Sequence, residues 1–181
     1  MLQNFVLFQA GWFACVLGGA TSDYAWAGVV SVTLIVAVHL ARADKVRNEL
    51  MLIVSTAILG TAWDSGLMVT GLFSFTSGVV VPVIVPLWMI AMWALFATTL
   101  NVSMKWMKGR YLLAAVFGAI GGPVAYYAGH RLGAVEFSNT GITLLTVGVG
   151  WSIIMPVLML LTTRFNGYQA VKNTAYEVET T

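Results

Sequence analysis

Charge is scarce in this chain. Asp, Glu, Lys and Arg make up 9% of the 181 residues, against 59% hydrophobic residues, and the mean hydropathy is +0.87. A soluble domain carries roughly 25% charged residues, so this composition fits a surface that faces lipid. The formal charge is only +2, and the basic residues stand in short clusters between apolar runs, which excludes a polybasic nucleic-acid face. A single cysteine, Cys15, excludes an intrachain disulfide and reads as a buried thiol, because the preceding "WFA" does not resemble a lipoprotein processing site. The two histidines, His39 and His130, fall near opposite edges of the membrane, which argues against a haem held by both. No Cys/His cluster has zinc spacing. Also missing are a P-loop, a G-x-S-x-G elbow, an H-E-x-x-H pair and paired intramembrane carboxylates. No cofactor, metal site or catalytic residue is therefore expected.

What is present is a series of apolar runs. Six of them, at about 3–20, 25–42, 49–73, 82–104, 111–129 and 141–163, can each cross a hydrocarbon core of about 30 Å, which takes roughly 20 helical residues. Lipid offers no partner to backbone N–H and C=O groups, so spans of this length are expected to be helices. None has the alternation of a membrane β-strand. The expectation is an all-α polytopic bundle of about six transmembrane helices over residues 1–164, followed by a short polar cytoplasmic tail over 165–181. The start of the fourth run, "VVVPVIVPLW", is uncertain because Pro82 or Pro86 could occupy the first helical turn. The first run has no basic residue before its apolar stretch and reads as a retained span rather than a cleaved signal peptide, although "GGATS" could pass for a cleavage site. No internal repeat is evident.

Basic residues set the expected orientation. Arg42, Lys45, Arg47, Lys105, Lys108, Arg110, Arg164 and Lys172 share one side, and Arg131 alone lies on the other. The positive-inside rule then puts both termini in the cytoplasm. Trp26, Trp106, Tyr24 and Tyr111 fall near the interfaces and read as anchors.

From Leu50 to Phe73 the third run reads "LMLIVSTAILGTAWDSGLMVTGLF", and Asp64 is the only ionisable residue of that stretch. An ionised Asp at the centre of a lone helix costs about 2.5–3.5 kcal/mol. It is tolerable where it faces the bundle and finds donors or holds a proton. Gly60, Thr61, Met68 and Gly71 share its side of the helix, so small residues beside it point toward a neighbouring helix rather than lipid. Counting helical rise from Glu49 puts Asp64 about 22 Å in; from Arg110, Tyr126 and Tyr127 lie at about 24 Å and His130 at about 30 Å. Trp88 reaches a similar level. The candidate ligand-binding layer in the outer half is therefore Asp64, Trp63, Trp88, Tyr126 and Tyr127, with His130 at its rim. Asp64 either anchors a ligand or proton there, or pins the register of the bundle through a hydrogen bond to another helix.

The fifth run carries "GAIGGPVAYYAGHRLGA". Gly118 and Gly122, and likewise Gly129 and Gly133, have G-x-x-x-G spacing that lets helix backbones approach closely. Pro123 removes a backbone donor and is expected to kink the helix, which either only bends a tightly packed helix or opens space beside Tyr126 and Tyr127.

The stretches "NFVLFQAGWFACVLGG", "LWMIAMWALFATTLNVSMKWM" and "GAIGGPVAYYAGHRLGA" together resemble a family of small bacterial inner-membrane proteins known only as a domain of unknown function. The resemblance covers most of the chain except the polar tail. It implies a multi-pass protein of the inner (cytoplasmic) membrane and supplies no established activity. The association of such proteins with methyltransferases similar to cyclopropane fatty-acid synthases, and with photo-oxidative stress genes, implies a link to membrane-lipid modification; it is an association and not a mechanism.

Three functions remain open at this level, and a fourth, an intramembrane enzyme with Asp64 and His130 as acid and base, requires that these two residues approach each other. The first is binding or handling of a membrane lipid or hydrophobic metabolite in the outer-half pocket, accessory to fatty-acid modification. The second is a structural or assembly subunit, with the glycine faces engaging a homo-oligomer or a membrane-protein partner. The third is a small proton-coupled transporter acting as a dimer.

Overall fold

Each apolar run satisfies its backbone internally, and six helices result. In a computed structural model that describes residues 1–21 and 24–168, α1 is Leu2–Gly19, α2 Ala25–Ala41, α3 Val46–Val69, α4 Leu87–Leu100, α5 Tyr111–Arg131 and α6 Thr140–Arg164. Of these, α1, α3, α5 and α6 are long and apolar enough to cross a membrane, while α2 and α4 are shorter apolar helices. The chain is a multi-pass membrane protein of all-α class. Residues 169–181, most of the expected polar tail, lie outside the described residues.

The fourth span is the main correction. The apolar run predicts it over 82–104, but α4 has 14 residues, about 21 Å of helix, short of the ~30 Å core. Pro86 stands at its N-cap with extended backbone (φ −61°, ψ 154°). A residue before proline is pushed out of the helical region, so Pro82 and Pro86 together keep 79–86 out of the helix. At the other end 101–104 form turns before a 3₁₀ turn at Lys105–Met107.

Two helix ends are built alike. α3 stops before Gly71 (φ +74°) and α5 before Gly133 (φ +86°). In each case two backbone bonds wrap the end: Gly71 N–H to Met68 O and Leu72 N–H to Leu67 O, and Gly133 N–H to His130 O and Ala134 N–H to Gly129 O. That pattern needs a left-handed residue, which glycine supplies without a Cβ clash. Each turn then feeds a three-residue strand, β1 (Phe73–Phe75) and β2 (Val135–Phe137), paired antiparallel with Ser74 opposite Glu136. Phe73, Phe75 and Val135 point inward while Ser74 and Glu136 face out, the period of two of a half-buried strand. This small ladder, absent from the all-helical expectation, caps one end of the bundle. The loops bearing Arg42, Lys45, Lys105, Lys108 and Arg110, with Arg47 in the first turn of α3, lie at the other, hereafter the basic end.

α5 packs chiefly on α6, α1 on α2 and α4, and α3 on α4. α5 runs unbroken through Pro123. The Ala119 carbonyl, left without its usual N–H by that proline, lies against Gly148 of α6, where a Cβ would approach it to 3.2 Å.

Candidate functional site

Asp64 sits on α3 with its side chain fully buried. Its two oxygens are taken by donors from two other helices: Trp93 Nε1 of α4 at 2.7 Å and the Tyr126 hydroxyl of α5. The approach of α4 depends on Gly60, one turn before Asp64, because a Cβ there would lie 1.8 Å from the Trp93 ring. Trp93 in turn stacks on Trp151 of α6 (centroids 5.0 Å, planes 17° apart). Trp151 covers Gly118 and Gly122, whose absent Cβ atoms would come within 2.2 Å of its carbonyl oxygen and 2.4 Å of its ring. Glycine, indole, indole, glycine thus link α3, α4, α6 and α5 in one layer, with the carboxylate bonded into it.

The residues expected at this site are distributed unevenly. Asp64 and Tyr126 meet directly. Trp63 lies over Gly150 of α6, where a Cβ would fall 2.0 Å from its ring. Trp88 is buried elsewhere: it donates to Ser77 O at 3.2 Å and packs on Phe75 (5.4 Å), plugging the hairpin end. Tyr127 is 43% exposed, since adjacent helical residues point about 100° apart. His130 holds Val135 O at 2.9 Å through Nδ1 and stacks on Phe137 at 4.4 Å, so it braces the ladder. Gly118 and Gly122 act as a close-packing pair. Gly129 and Gly133 do not: a Cβ on Gly129 would meet nothing within 4 Å, and Gly133 lies past the helix end. Trp93 was not anticipated. A depth count from the basic end that assumes an unbroken helix over 82–104 puts Trp88 at the Asp64 level; counted from the hairpin end, Asp64 lies five residues from Val69 and Trp93 six from Leu87, about 8 and 9 Å of helix.

Beside this layer runs an apolar cavity of about 270 Å³ between α1, α4 and α5, near the lower edge of ligand-pocket volumes of about 300–1,000 Å³. Phe8 and Trp12 of α1, Met92 and Trp93 of α4, and Gly121 and Tyr126 of α5 form its middle. Asp64 is not on its surface. The carboxylate stands behind the wall and holds two of the wall's rings, Trp93 and Tyr126, in place. Tyr127 does not line it either, so of the two tyrosines only Tyr126 borders the space beside the proline-bearing segment. Trp63 Nε1 and Trp151 Nε1 are buried without a hydrogen-bond partner. Among the described residues no group of three His, Cys, Asp or Glu side chains converges on a metal-sized site.

A second polar cluster, at the basic end, joins residues that sequence spacing leaves apart. Glu49, fully buried, accepts from Asn101 Nδ2 at 2.5 Å and Gly167 N–H at 3.1 Å, and lies 3.2 Å from His39 Nε2. The Tyr168 hydroxyl donates to His39 O at 2.5 Å. Here the segment after α6 is tied across the ends of α2, α3 and α4. Burial first, then Glu49, pushes the Tyr168 phenol up to about 12, with Asp44 adding to the rise and Arg42 opposing it. The free phenol titrates near 10, so an unfolded segment loses its proton first as pH rises. The contact contributes fully below about pH 10 and is lost as pH passes through about 12. Alkaline titration of phenol absorbance, wild type minus Tyr168→Phe, is expected to isolate one phenol near 12. A difference centred near 10 would mean that the segment is not held.

No curated protein and no solved structure matches this chain. A family model does, over residues 1–157, that is, over all six helices except the last turns of α6. The chain therefore belongs to the family described as "Protein of unknown function (DUF2878)".

Proposed function

We propose that this protein binds the acyl part of a membrane lipid, or a hydrophobic metabolite of similar shape, in the cavity between α1, α4 and α5, and that it does so in a bacterial inner membrane with its basic end in the cytoplasm. The observation that carries this reading is the cavity itself. It is lined by aromatic rings, methionines and glycines, a surface that suits alkyl chains and offers little to a polar solute. Its α1 wall runs from Phe5 to Val16, about 16 Å of helix, close to half of a ~30 Å hydrocarbon core. That is the depth of one leaflet's chains. The four-helix layer around Asp64 gives the cavity rigid walls, and Asp64 is a positioning residue rather than a ligand contact. The orientation follows from the excess of Lys and Arg at one end.

Glycines on the α5 wall provide the test. A Cβ on Gly121 would meet only the Phe117 ring, at 3.7 Å, and one on Gly129 would meet nothing within 4 Å. Leucine at either position starts from an uncrowded Cβ on the cavity wall and takes up cavity volume. Native mass spectrometry with lipid identification is expected to find a lipid or metabolite retained by the wild-type protein and lost, at least tenfold, from Gly121→Leu and Gly129→Leu. Equal retention by all three would leave the cavity without a role in binding.

A further inference from the structure

The two ends of the cavity differ. Toward the hairpin its lining is closed: Val16, Trp88, Met89, Ala134 and Val135 are all buried, the most exposed of them at 8%. Val135 belongs to the strand ladder, and Trp88 is fixed by its bond to Ser77 O, so this end is sealed by backbone structure as well as by rings. Toward the basic end the lining opens, with Phe5 53% and Phe117 40% exposed. An alkyl chain therefore has one way to lie: methyl end against the hairpin, polar end toward the mouth at Phe5, Met104 and Phe117.

That mouth is bordered by cations. Met104, which lines the cavity, is followed directly by Lys105. Trp106 sets its ring edge-on against Phe117 (6.2 Å), which holds the loop carrying Lys105, Lys108 and Arg110 next to the opening. Lys105 and Arg110 are exposed, and none of the three is ion-paired to a carboxylate among the described residues. Burial lowers the Lys108 ammonium below the ordinary lysine value; Glu49 opposes this, and Lys105 adds to it. An anion beside the pair would relieve that repulsion. From Arg110 to Gly129 at the closed end is about 28 Å of helix, enough for a headgroup and one chain in line.

We infer that the ligand is an anionic phospholipid taken from the leaflet on the basic side, one acyl chain in the cavity and its phosphate against Lys105, Lys108 and Arg110. This rests on the cavity being the binding site, and it adds the headgroup class, the leaflet and the direction of the chain. Basic clusters beside a membrane helix attract anionic headgroups by electrostatics that sum over the residues. A loop whose cations merely satisfied the positive-inside rule would show no preference coupled to occupancy of the cavity.

The test uses the full chain, delipidated in detergent and titrated separately with dioleoylphosphatidylglycerol and dioleoylphosphatidylcholine, which carry the same chains. Bound lipid is counted by native mass spectrometry, and inorganic phosphate serves as a competitor without a chain. Wild type is expected to prefer phosphatidylglycerol about tenfold. The triple variant Lys105→Gln/Lys108→Gln/Arg110→Gln is expected to bring the two lipids within about twofold with phosphatidylcholine binding unchanged. Should the triple variant fail to fold, Lys105→Gln and Arg110→Gln singly are expected to cut the preference about threefold each. Equal affinity of wild type for both lipids, or a preference that survives neutralisation, overturns the headgroup assignment while leaving the cavity intact. Displacement of phosphatidylglycerol by phosphate alone at equal concentration overturns the lipid source. Gly121→Leu separates the two levels: it is expected to weaken both lipids together, and if it weakens neither, the cavity reading fails and this one with it.

Discussion

Asp64→Ala is expected to destabilise the bundle by roughly 3–5 kcal/mol, while Asp64→Asn loses only about 1 kcal/mol. Alanine leaves the Trp93 indole N–H and the Tyr126 hydroxyl without the acceptor each now has, and a buried donor left unpaired costs about 1–3 kcal/mol. In a lipid-surrounded bundle no water is at hand to replace it. Asparagine keeps one oxygen for Trp93, and its amide can donate to the Tyr126 oxygen if the hydroxyl turns round, since a phenol both donates and accepts. Equilibrium unfolding in mixed detergent micelles, followed by tryptophan emission, measures both variants. Equal losses would assign the stabilisation to the carboxyl group itself rather than to its acceptors. No loss from alanine would mean that Trp93 and Tyr126 find other partners.

Gly60→Ala is expected to be about as damaging as Asp64→Ala, although it adds a single methyl group. The new Cβ would lie 1.8 Å from the Trp93 ring, far inside contact distance, and the ring has little freedom to retreat. Its N–H is bonded to Asp64 and it stacks on Trp151, which already lies on Gly122. Overpacking of this kind costs about 1–3 kcal/mol, and shifting Trp93 also breaks its bond to Asp64, for a combined loss of roughly 3–5 kcal/mol. Gly66→Ala is the matched control on the same helix, because nothing lies within 4 Å of its Cβ position. Thermal unfolding that separates Gly60→Ala from Gly66→Ala confirms the contact; coincident curves would show that α3 and α4 do not approach as described. In the double variant Gly60→Ala/Asp64→Ala the losses should fall short of their sum, because both act through Trp93.

The long helices were legible in the chain. α1, α2, α5 and α6 begin and end within about two residues of the apolar runs, because backbone satisfaction in lipid depends only on local apolar length. α4 is shorter than its apolar run for a local reason as well: two prolines hold the preceding segment extended, and apolarity continues through it regardless. By spacing alone Gly71 and Gly133 fall on helix faces. Each is a turn residue, and the signal that could have found them is the strand-like pair of segments that follows, "FSF" and "VEF". The Glu49 cluster is hidden from local spacing because its members, His39, Glu49, Asn101 and the adjacent Gly167 and Tyr168, come from four separate places in the chain.

By itself the amino-acid sequence determined that this protein is a multi-pass helical bundle, where α1, α2, α5 and α6 run, and that Asp64 turns inward, since each of these follows from what lipid refuses locally. It could not determine which residues meet Asp64. Helices that are apolar on every side show no preferred face, so their rotation and axial offset are not written in any periodicity. Those are set when Gly60, Gly118, Gly122 and Gly150 admit the indoles of Trp93, Trp151 and Trp63 from other helices. Close packing of rigid rings against bare backbone allows one arrangement, and it is that arrangement which places the carboxylate behind the wall and leaves the cavity in front of it.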